Sequence, residues 1–198
     1  MPVRRLLLIR HGETDGESSI RYHGSGDVPL SDEGRAHMRA AARRLPFARL
    51  DRVVSSPLSR AFESARIMAP GQPIELEGGF REIDFGRWEG LTREEIEASD
   101  PILASDWLEK REGFEFPGGE RRAAFRGRVL NGLQRILNGR GDTVMVVAHK
   151  GVVRTIADSL LEAPIDPEQV GLGALVQVSR RSDGGWHEGP RPSSVRRV

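Results

Sequence analysis

Positively charged side chains and imidazoles follow three predicted strands, close to the points where those strands end. They are Arg10 and His11 after the first apolar run, Arg60 after the second, and His149 and Lys150 after the third. Because the carboxyl ends of parallel strands meet at one edge of a sheet, we expect these groups to lie together. Like charges repel each other unless an anion binds between them. The pattern therefore predicts a pocket for a multiply charged anion.

Motifs that the sequence lacks narrow the chemistry of this pocket. There is no GxxxxGK[ST] phosphate loop, no GxGxxG after the first strand and no GxSxG nucleophile elbow. No HExxH or comparable pair of ligands accompanies His11, so we expect no metal site. What remains is a neutral imidazole that attacks phosphorus while cations neutralise the phosphoryl oxygens. Taken singly, each residue is typical of a structural or solvated position, and their convergence carries the prediction.

Such an attack also needs an acid that protonates the departing alkoxide. The segment 81–90, REIDFGRWEG, contains three carboxyl groups. Glu82 follows an arginine and precedes an apolar residue, and burial together with the phosphate charge would raise its pKa. By spacing alone, Asp84 or Glu89 would serve nearly as well. A loop held only by salt bridges is an equally good interpretation of the segment.

Length and composition limit the kind of molecule that carries this pocket. The 198 residues suit one compact domain, and 30 basic against 29 acidic residues give a formal net charge of +1. This balance argues against a nucleic-acid partner. No apolar run is long enough to cross a bilayer, so we expect no membrane partner. The chain has no cysteine, which excludes disulfides and thiolate sites and favours a cytoplasmic location.

Hydrophobic periodicity predicts the elements that must position the charged groups. Buried strands are predicted over 3–9, 52–55, 143–148 and 175–179. Helical patterns lie between these strands. The predicted helices run from Ser31 to about Leu45, from Pro57 past Met68, from Thr92, from Pro101, from about Glu120 to Leu137, and from Gly151 to Leu161.

Strands that alternate with helices in this way predict an α/β fold, a three-layer α/β/α sandwich with a mostly parallel sheet. Residues 1–198 are interpreted as a single domain. Residues 71–119 break the alternation and are interpreted as a cap inserted over one end of the sheet. The turn at 182–185 predicts a C-terminal edge hairpin with a short strand near Trp186. Residues 190–198 are expected to form a flexible tail.

Several stretches, in this order along the whole chain, together resemble one known family. They are Leu8–Thr14 (LIRHGET), Gly24 with Asp27–Ser31 and Gly34, Ser55–Ala61 (SSPLSRA), Glu82–Gly90, Pro117–Glu120 (PGGE) and Val147–Arg154 (VAHKGVVR). The family is the histidine phosphatase superfamily, in its phosphoglycerate mutase-like branch. A set of motifs in the right order is far more specific than any one of them.

The resemblance assigns roles to particular residues. It implies that His11 is phosphorylated, that Arg10, Arg60 and His149 hold the phosphoryl group, and that Glu82 is the general acid and base. It implies no metal, no organic cofactor and a small phosphorylated metabolite as the partner. The candidates for substrate binding are Glu17, Ser18, Gly24, Lys150 and Arg121.

Departures from the family bear on the substrate. Mutases of this branch usually have Trp-Asn shortly after the first motif, where this chain reads DGESS over 15–19. They also have a longer basic insertion after the acid loop, where this chain carries Glu94, Glu95, Glu97 and Asp100. An acidic cap would repel a second phosphate, so we favour a phosphatase. A phosphoglycerate mutase-type phosphotransferase and a non-catalytic phospholigand-binding module are the alternatives.

Further cations lie close to these motifs. Lys150 stands where the family often has glycine, and it either contacts a substrate carboxylate or faces solvent. Arginines at 121, 122, 126 and 128 fall largely on the polar side of the longest predicted helix, so we expect a solvated face. Arg121 or Arg122, next to the Gly-Gly turn, lies within reach of a substrate.

Overall fold

The computed structural model describes residues 1–45, 49–109 and 113–190 and shows a six-stranded sheet between two layers of helices. The strands are β1 (Arg5–Arg10), β2 (Arg52–Ser55), β3 (Ile74–Leu76), β4 (Thr143–Ala148), β5 (Leu175–Arg180) and β6 (Trp186–Glu188). The α-helices of the described ranges are α1 (Asp32–Ala42), α2 (Ser59–Met68), α3 (Arg93–Ser99), α4 (Pro101–Glu109), α5 (Arg122–Leu137) and α6 (Lys150–Leu160).

The sheet has the strand order β3-β2-β4-β1-β5-β6. The pairs β3-β2, β2-β4 and β4-β1 are parallel, whereas β1-β5 and β5-β6 are antiparallel. The predicted α/β sandwich with a mostly parallel sheet and a C-terminal edge hairpin is therefore confirmed. Arg10 at the end of β1 pairs with Ala148 at the end of β4, so the two strands end side by side. This register brings His11 next to His149.

Strand β1 is buried on both faces, as expected for a central strand between two helical layers. Leu6 and Leu8 belong to the apolar cluster that α5, α6 and the 80–116 segment cover. Leu7 and Ile9 belong to the cluster that α1 and α2 cover. Side chains alternate between the two faces of a strand, so one short run of four apolar residues anchors both layers. The strand ends are thereby held rigidly.

The predicted cap differs from the structure at its beginning. Residues Ile74–Leu76 form β3, which pairs in parallel with β2 and so belongs to the main sheet. Glu75 and Leu76 are exposed at this edge, and a three-residue strand without alternating burial leaves little signal in the sequence. Downstream of β3, aromatic side chains of residues 80–116 pack together. Trp88 is buried and stacks on Phe114, with ring centroids 5.2 Å apart.

Smaller differences concern the helix ends. Helix α2 begins at Ser59, so Pro57 precedes the helix instead of lying in its first turn. The hydroxyl of Ser56 accepts the backbone N–H of Leu58, and Asp27 accepts that of Ser59 at 2.7 Å. These bonds hold the chain extended until the helix starts. The predicted tail, apart from Pro190, lies outside the described residues. No helix in the described ranges is long and apolar enough to span a membrane.

Candidate active site

His11 lies directly after β1 and is only 3% exposed. Its Nδ1 is 2.7 Å from the carbonyl oxygen of Gly12. Because a carbonyl oxygen can only accept, Nδ1 carries the proton and Nε2 keeps its lone pair. Burial, followed by the positive charges of Arg60 and Arg10, lowers the pKa of His11 well below 6.5. At neutral pH the ring is therefore uncharged, with Nε2 free to act as a nucleophile.

His149 faces His11 across the end of the sheet, with ring centroids 5.1 Å apart in an edge-to-face arrangement. Its Nε2 lies 2.8 Å from the hydroxyl of Ser56, which accepts the N–H of Leu58 at 3.3 Å. We assign the hydroxyl proton to the bond with Nε2, so the ring proton is on Nδ1. Burial and then Arg60 lower the pKa of His149 well below 6.5. The neutral ring thus presents an N–H donor.

Arg60 occupies the first turn of α2 and is completely buried. Its two terminal nitrogens donate to backbone carbonyl oxygens of one loop, to Gly26 at 2.8 Å, to Gly24 at 2.7 Å and to His23 at 3.2 Å. Within the described residues, no carboxylate lies within salt-bridge distance of Arg60. Burial lowers the pKa of this guanidinium. The loop fixes its orientation and leaves Nε unused.

Arg10, at the end of β1, is held in a similar way. Its terminal nitrogens donate to the carbonyl oxygens of Val170 at 3.1 Å and of Ser18 at 3.4 Å. Within the described ranges, the Nε atoms of Arg10 and Arg60 and the Nδ1 of His149 are buried without any hydrogen-bond partner. Buried polar groups in native proteins are nearly always paired. Three unpaired donors around one imidazole are what an anion-binding pocket requires.

Glu82 is 6% exposed and lies beside the junction of β4 and α6. Its Oε2 accepts the backbone N–H of Gly151 at 2.9 Å, and its Oε1 accepts that of Ile83 at 3.0 Å. Burial raises the pKa of this carboxyl, although the two N–H donors and the charges of Arg60 and Arg10 oppose the rise. The result is a carboxyl group with a raised pKa, close to both histidine motifs, which suits a proton donor.

The other two carboxyl groups of the acid loop are occupied by backbone amides. Glu89 accepts the N–H groups of Gly24, Ser25 and Phe85, each at 3.0 Å. Asp84 accepts a backbone N–H within its own turn at 2.7 Å. These bonds make both side chains structural supports. Glu82 also accepts two backbone amides, but of the three it alone is buried and bonds to Gly151 in the second histidine motif, which distinguishes it where spacing alone did not.

Arg128 supports the acid loop, in contrast to the solvated position expected for it on α5. Its guanidinium forms a bidentate pair with Glu120, with both N–O distances 2.7 Å. It also donates to the carbonyl oxygens of Gly79 at 2.9 Å, Arg81 at 2.5 Å and Glu82 at 3.0 Å. Nothing in the helical periodicity indicates this role, because the contacts are with a loop distant in sequence.

Of the candidates for substrate binding, three lie in or beside the loop after β1. Ser18 bonds through its hydroxyl to Thr14 at 2.8 Å and through its carbonyl to Arg10. Glu17 has a positive φ of 59° and pairs with Arg21 at 3.4 Å. Gly24 holds Arg60 with its carbonyl oxygen. The groups named here thus form hydrogen bonds or ion pairs with other residues of the protein.

The remaining candidates lie at helix starts. Lys150 is the first residue of α6, immediately after His149, and its side chain is exposed. Arg121 is the residue before α5 and is also exposed. Among the described residues, no side-chain hydrogen bond or ion pair involves Arg121 or Lys150. Of the two, only Lys150 is fixed by the chain next to the histidine pair.

Neighbouring arginines balance most of the negative charge of Glu94, Glu95, Glu97 and Asp100, which the sequence alone does not predict. Three of the four carboxylates form ion pairs, so they contribute less repulsion toward a second phosphate than expected. The pairs are Glu95 with Arg21 at 2.8 Å, Glu97 with Arg93 at 2.6 Å, and Asp100 with Arg87 at 3.0 Å.

The described ranges contain no group of three or more histidine, aspartate or glutamate side chains arranged to hold a metal ion.

The chain belongs to the histidine phosphatase superfamily (branch 1), whose sequence pattern matches residues 6–187. The family predicted from the motifs is therefore confirmed.

Similarity to individual proteins points to phosphatases. The chain is 32% identical to a glucosyl-3-phosphoglycerate phosphatase of Mycolicibacterium vanbaalenii, over 93% of this chain and 88% of the relative. It is 33% identical to phosphoserine phosphatase 1 of Hydrogenobacter thermophilus, over 79% and 76%. Some other curated relatives are longer, and the chain spans 44% of their length.

The solved structures that this chain resembles also include phosphatases. A mycobacterial glucosyl-3-phosphoglycerate phosphatase in complex with VO3 matches with a TM-score of 0.82 and 28% identity, over 97% of this chain and 100% of that chain. These similarities agree with the predicted class of enzyme, a histidine phosphatase.

Proposed function

We propose that this protein hydrolyses a small phosphomonoester through a phosphohistidine intermediate on His11, with Glu82 as general acid and base. One observation carries the proposal. Three buried N–H donors without partners in the described chain, on Arg10, Arg60 and His149, surround an imidazole whose Nε2 is unprotonated. A binding module would need the donors but neither the nucleophile nor the buried carboxyl group.

In the first step, His11 Nε2 attacks phosphorus and the ester P–O bond breaks. The guanidinium groups of Arg10 and Arg60 and the Nδ1–H of His149 bind the phosphoryl oxygens, whose charge they neutralise in the transition state. Protonated Glu82 gives its proton to the departing alkoxide, so the alcohol leaves neutral. The products of this step are the alcohol, phosphohistidine and a Glu82 carboxylate.

In the second step, water attacks the phosphohistidine from the side that the alcohol has left. The Glu82 carboxylate takes a proton from this water, which restores the acid for the next cycle. The N–P bond breaks, and inorganic phosphate is released with His11 neutral again. Because arginine cations supply the charge that the phosphoryl group needs, we propose that the reaction requires neither metal nor organic cofactor.

The direct test is hydrolysis of p-nitrophenyl phosphate by the purified protein in EDTA, with no metal added. We expect release of p-nitrophenol by the wild type and none by His11→Ala. Rapid quenching should trap a phosphorylated peptide that contains residue 11 and is stable in base but labile in acid. Absence of turnover, or turnover that survives His11→Ala, would contradict the proposal.

The natural substrate is proposed to be a small phosphorylated metabolite. The relatives named above as phosphatases of phosphoserine and of glucosyl-3-phosphoglycerate support this size class. Incubation with 3-phosphoglycerate distinguishes the phosphatase from a mutase, because the former releases free phosphate and the latter forms the 2-isomer. A cytoplasmic location and a single-domain organisation stay predictions from the sequence.

A further inference from the structure

A second group of positive charges lies beside the phosphoryl pocket, and the proposed reaction does not use it. Lys150 is the first residue of α6, directly after His149, and Arg154 lies one helical turn further along. Side chains four residues apart project from the same face of a helix. The two cations therefore extend away from the pocket along one side of α6.

Arg122 contributes a third cation from the start of α5. Its Nε donates to the carbonyl oxygen of Phe114 at 2.5 Å, and its guanidinium lies 5.0 Å from the ring centroid of Phe116. Burial lowers the pKa of Arg122, Glu115 opposes that change, and the positive charge of Arg154 lowers the pKa further. Helices α5 and α6 pack against each other, which brings the charge of Arg154 near that of Arg122.

Lys150 connects this group to the phosphoryl pocket. Although the residue is exposed as a whole, partial desolvation of the ammonium group is the main cause that lowers its pKa, followed by the positive charges of Arg10 and Arg154. The carboxyl groups of Glu168 and Glu82 oppose the change. Because Arg10 and Glu82 belong to the pocket, the ammonium group lies within electrostatic range of a phosphate bound there.

Ten arginines of the described chain form ion pairs with carboxylates, but these three cations do not. Within residues 1–45, 49–109 and 113–190, no carboxylate lies within salt-bridge distance of Lys150, Arg154 or Arg122. The Nε of Arg154 is buried and has no hydrogen-bond partner there. Unpaired like charges and a buried unpaired donor both cost free energy that a bound anion would offset.

We propose that Lys150, Arg154 and Arg122 bind a second anionic group of the substrate, a carboxylate, while the phosphate occupies the pocket at His11. The proposal rests on the function proposed above and specifies its substrate class, a small phosphomonoester that carries a carboxylate. The planar guanidinium group matches a carboxylate through two parallel hydrogen bonds. Since Lys150 directly follows His149, only a few bonds separate the two anionic groups of the substrate.

The test compares two ligands that differ by one carboxylate, O-phosphoserine and phosphoethanolamine. Calorimetric titration of the full-length His11→Ala protein, which cannot turn either over, gives both dissociation constants. We expect O-phosphoserine to bind about tenfold more tightly or better, as a charge-assisted hydrogen bond to a carboxylate contributes. Hydrolysis of p-nitrophenyl phosphate by the wild type, measured separately, shows whether a failure concerns the phosphatase function or only this subsite.

Variants added to the His11→Ala background locate the effect. Lys150→Glu reverses an exposed charge and should remove the preference, and Arg154→Gln should reduce it strongly. Arg126→Gln is the matched control, since it removes an exposed positive charge elsewhere on α5 and should leave the preference intact. Equal affinities in the parent protein, or a preference that survives Lys150→Glu, would overturn the proposal.

Discussion

The hydroxyl of Ser56 lies 2.8 Å from Nε2 of His149, and neither side chain is more than 1% exposed. Ser56 also accepts a backbone N–H, from Leu58. With its own proton assigned to the imidazole, the ring proton of His149 is on Nδ1. One serine thereby decides which nitrogen of a neighbouring histidine can donate to a phosphoryl oxygen.

Replacing Ser56 by alanine should therefore change the tautomer of His149. We expect the population with the proton on Nε2 to rise, visible in the imidazole nitrogen shifts by NMR, and kcat/KM to fall by about tenfold. Ser56→Thr, which keeps the hydroxyl, should restore both. Ser55→Ala is the matched control, because the Ser55 hydroxyl bonds to the carbonyl of Ser56 and not to an imidazole. An unchanged tautomer in Ser56→Ala would contradict the assignment.

Glu82→Gln tests the proposed acid through the leaving group. Esters of alkyl alcohols need a proton on the departing oxygen, whereas p-nitrophenolate leaves without one. Because hydrolysis of the phosphohistidine is common to all esters, the comparison uses kcat/KM, which reports the first step. We expect kcat/KM on alkyl phosphates to fall at least about 100-fold, and far less on p-nitrophenyl phosphate. Because burial raises the pKa of Glu82, the basic limb of the wild-type pH profile should lie above pH 4.5 and vanish in the variant. Equal slowing of both ester types would argue against this role.

Arg128→Gln tests the support of the acid loop. The loss of a bidentate ion pair and of three bonds to loop carbonyls should lower the free energy of unfolding by about 2–4 kcal/mol. It should also slow alkyl phosphates more than p-nitrophenyl phosphate, since the backbone of Glu82 loses a donor. Arg126→Gln, on the exposed face of the same helix, serves as the control in thermal melts and kinetics. A variant that matches this control would show that the loop does not depend on Arg128.

Stability should fall as the pH drops below about 6.5, the ordinary pKa of histidine. In the folded state the pKa values of His11 and His149 lie well below 6.5. As the pH falls below 6.5, the unfolded chain therefore binds more protons than the folded one. Glu82, with its raised pKa, acts in the opposite direction, but two histidines outweigh one carboxyl. Denaturant titrations between pH 7 and 5.5 in phosphate-free buffer measure the slope. In His11→Asn the slope of the unfolding free energy against pH should decrease by the contribution of one proton, at most about 1.4 kcal/mol per pH unit.

Hydrophobic periodicity was sufficient to predict the four long strands and the order of the helices, because those segments are buried on defined faces. It failed at β3, a three-residue strand in which only Ile74 packs against the core and the pairing to β2 is made by the backbone. It placed the start of α2 at Pro57, whereas hydroxyl and carboxylate bonds from Ser56 and Asp27 delay the helix until Ser59. Local bonds to the backbone are invisible to a pattern of apolar residues.

The site could be predicted as far as its composition, since charged residues at strand ends converge in any parallel sheet. The choice of Glu82 over Asp84 and Glu89 came from the family resemblance, and no spacing rule contains it. The supporting role of Arg128 could not be predicted, because the acid loop approaches this residue only in the folded chain. The buried positions of His11 and His149 likewise depend on the register of β1 against β4.

The carboxylate of Glu89 joins two loops that are 60 residues apart in sequence, by accepting amides at Gly24 and Ser25 on one side and at Phe85 on the other. The first loop holds Arg60, and the second follows Glu82. Glu89 thus ties the loop that orients Arg60 to the loop that carries the proposed acid. Loss of this carboxylate would therefore disturb the positions of the phosphate-binding arginine and of the proposed proton donor together.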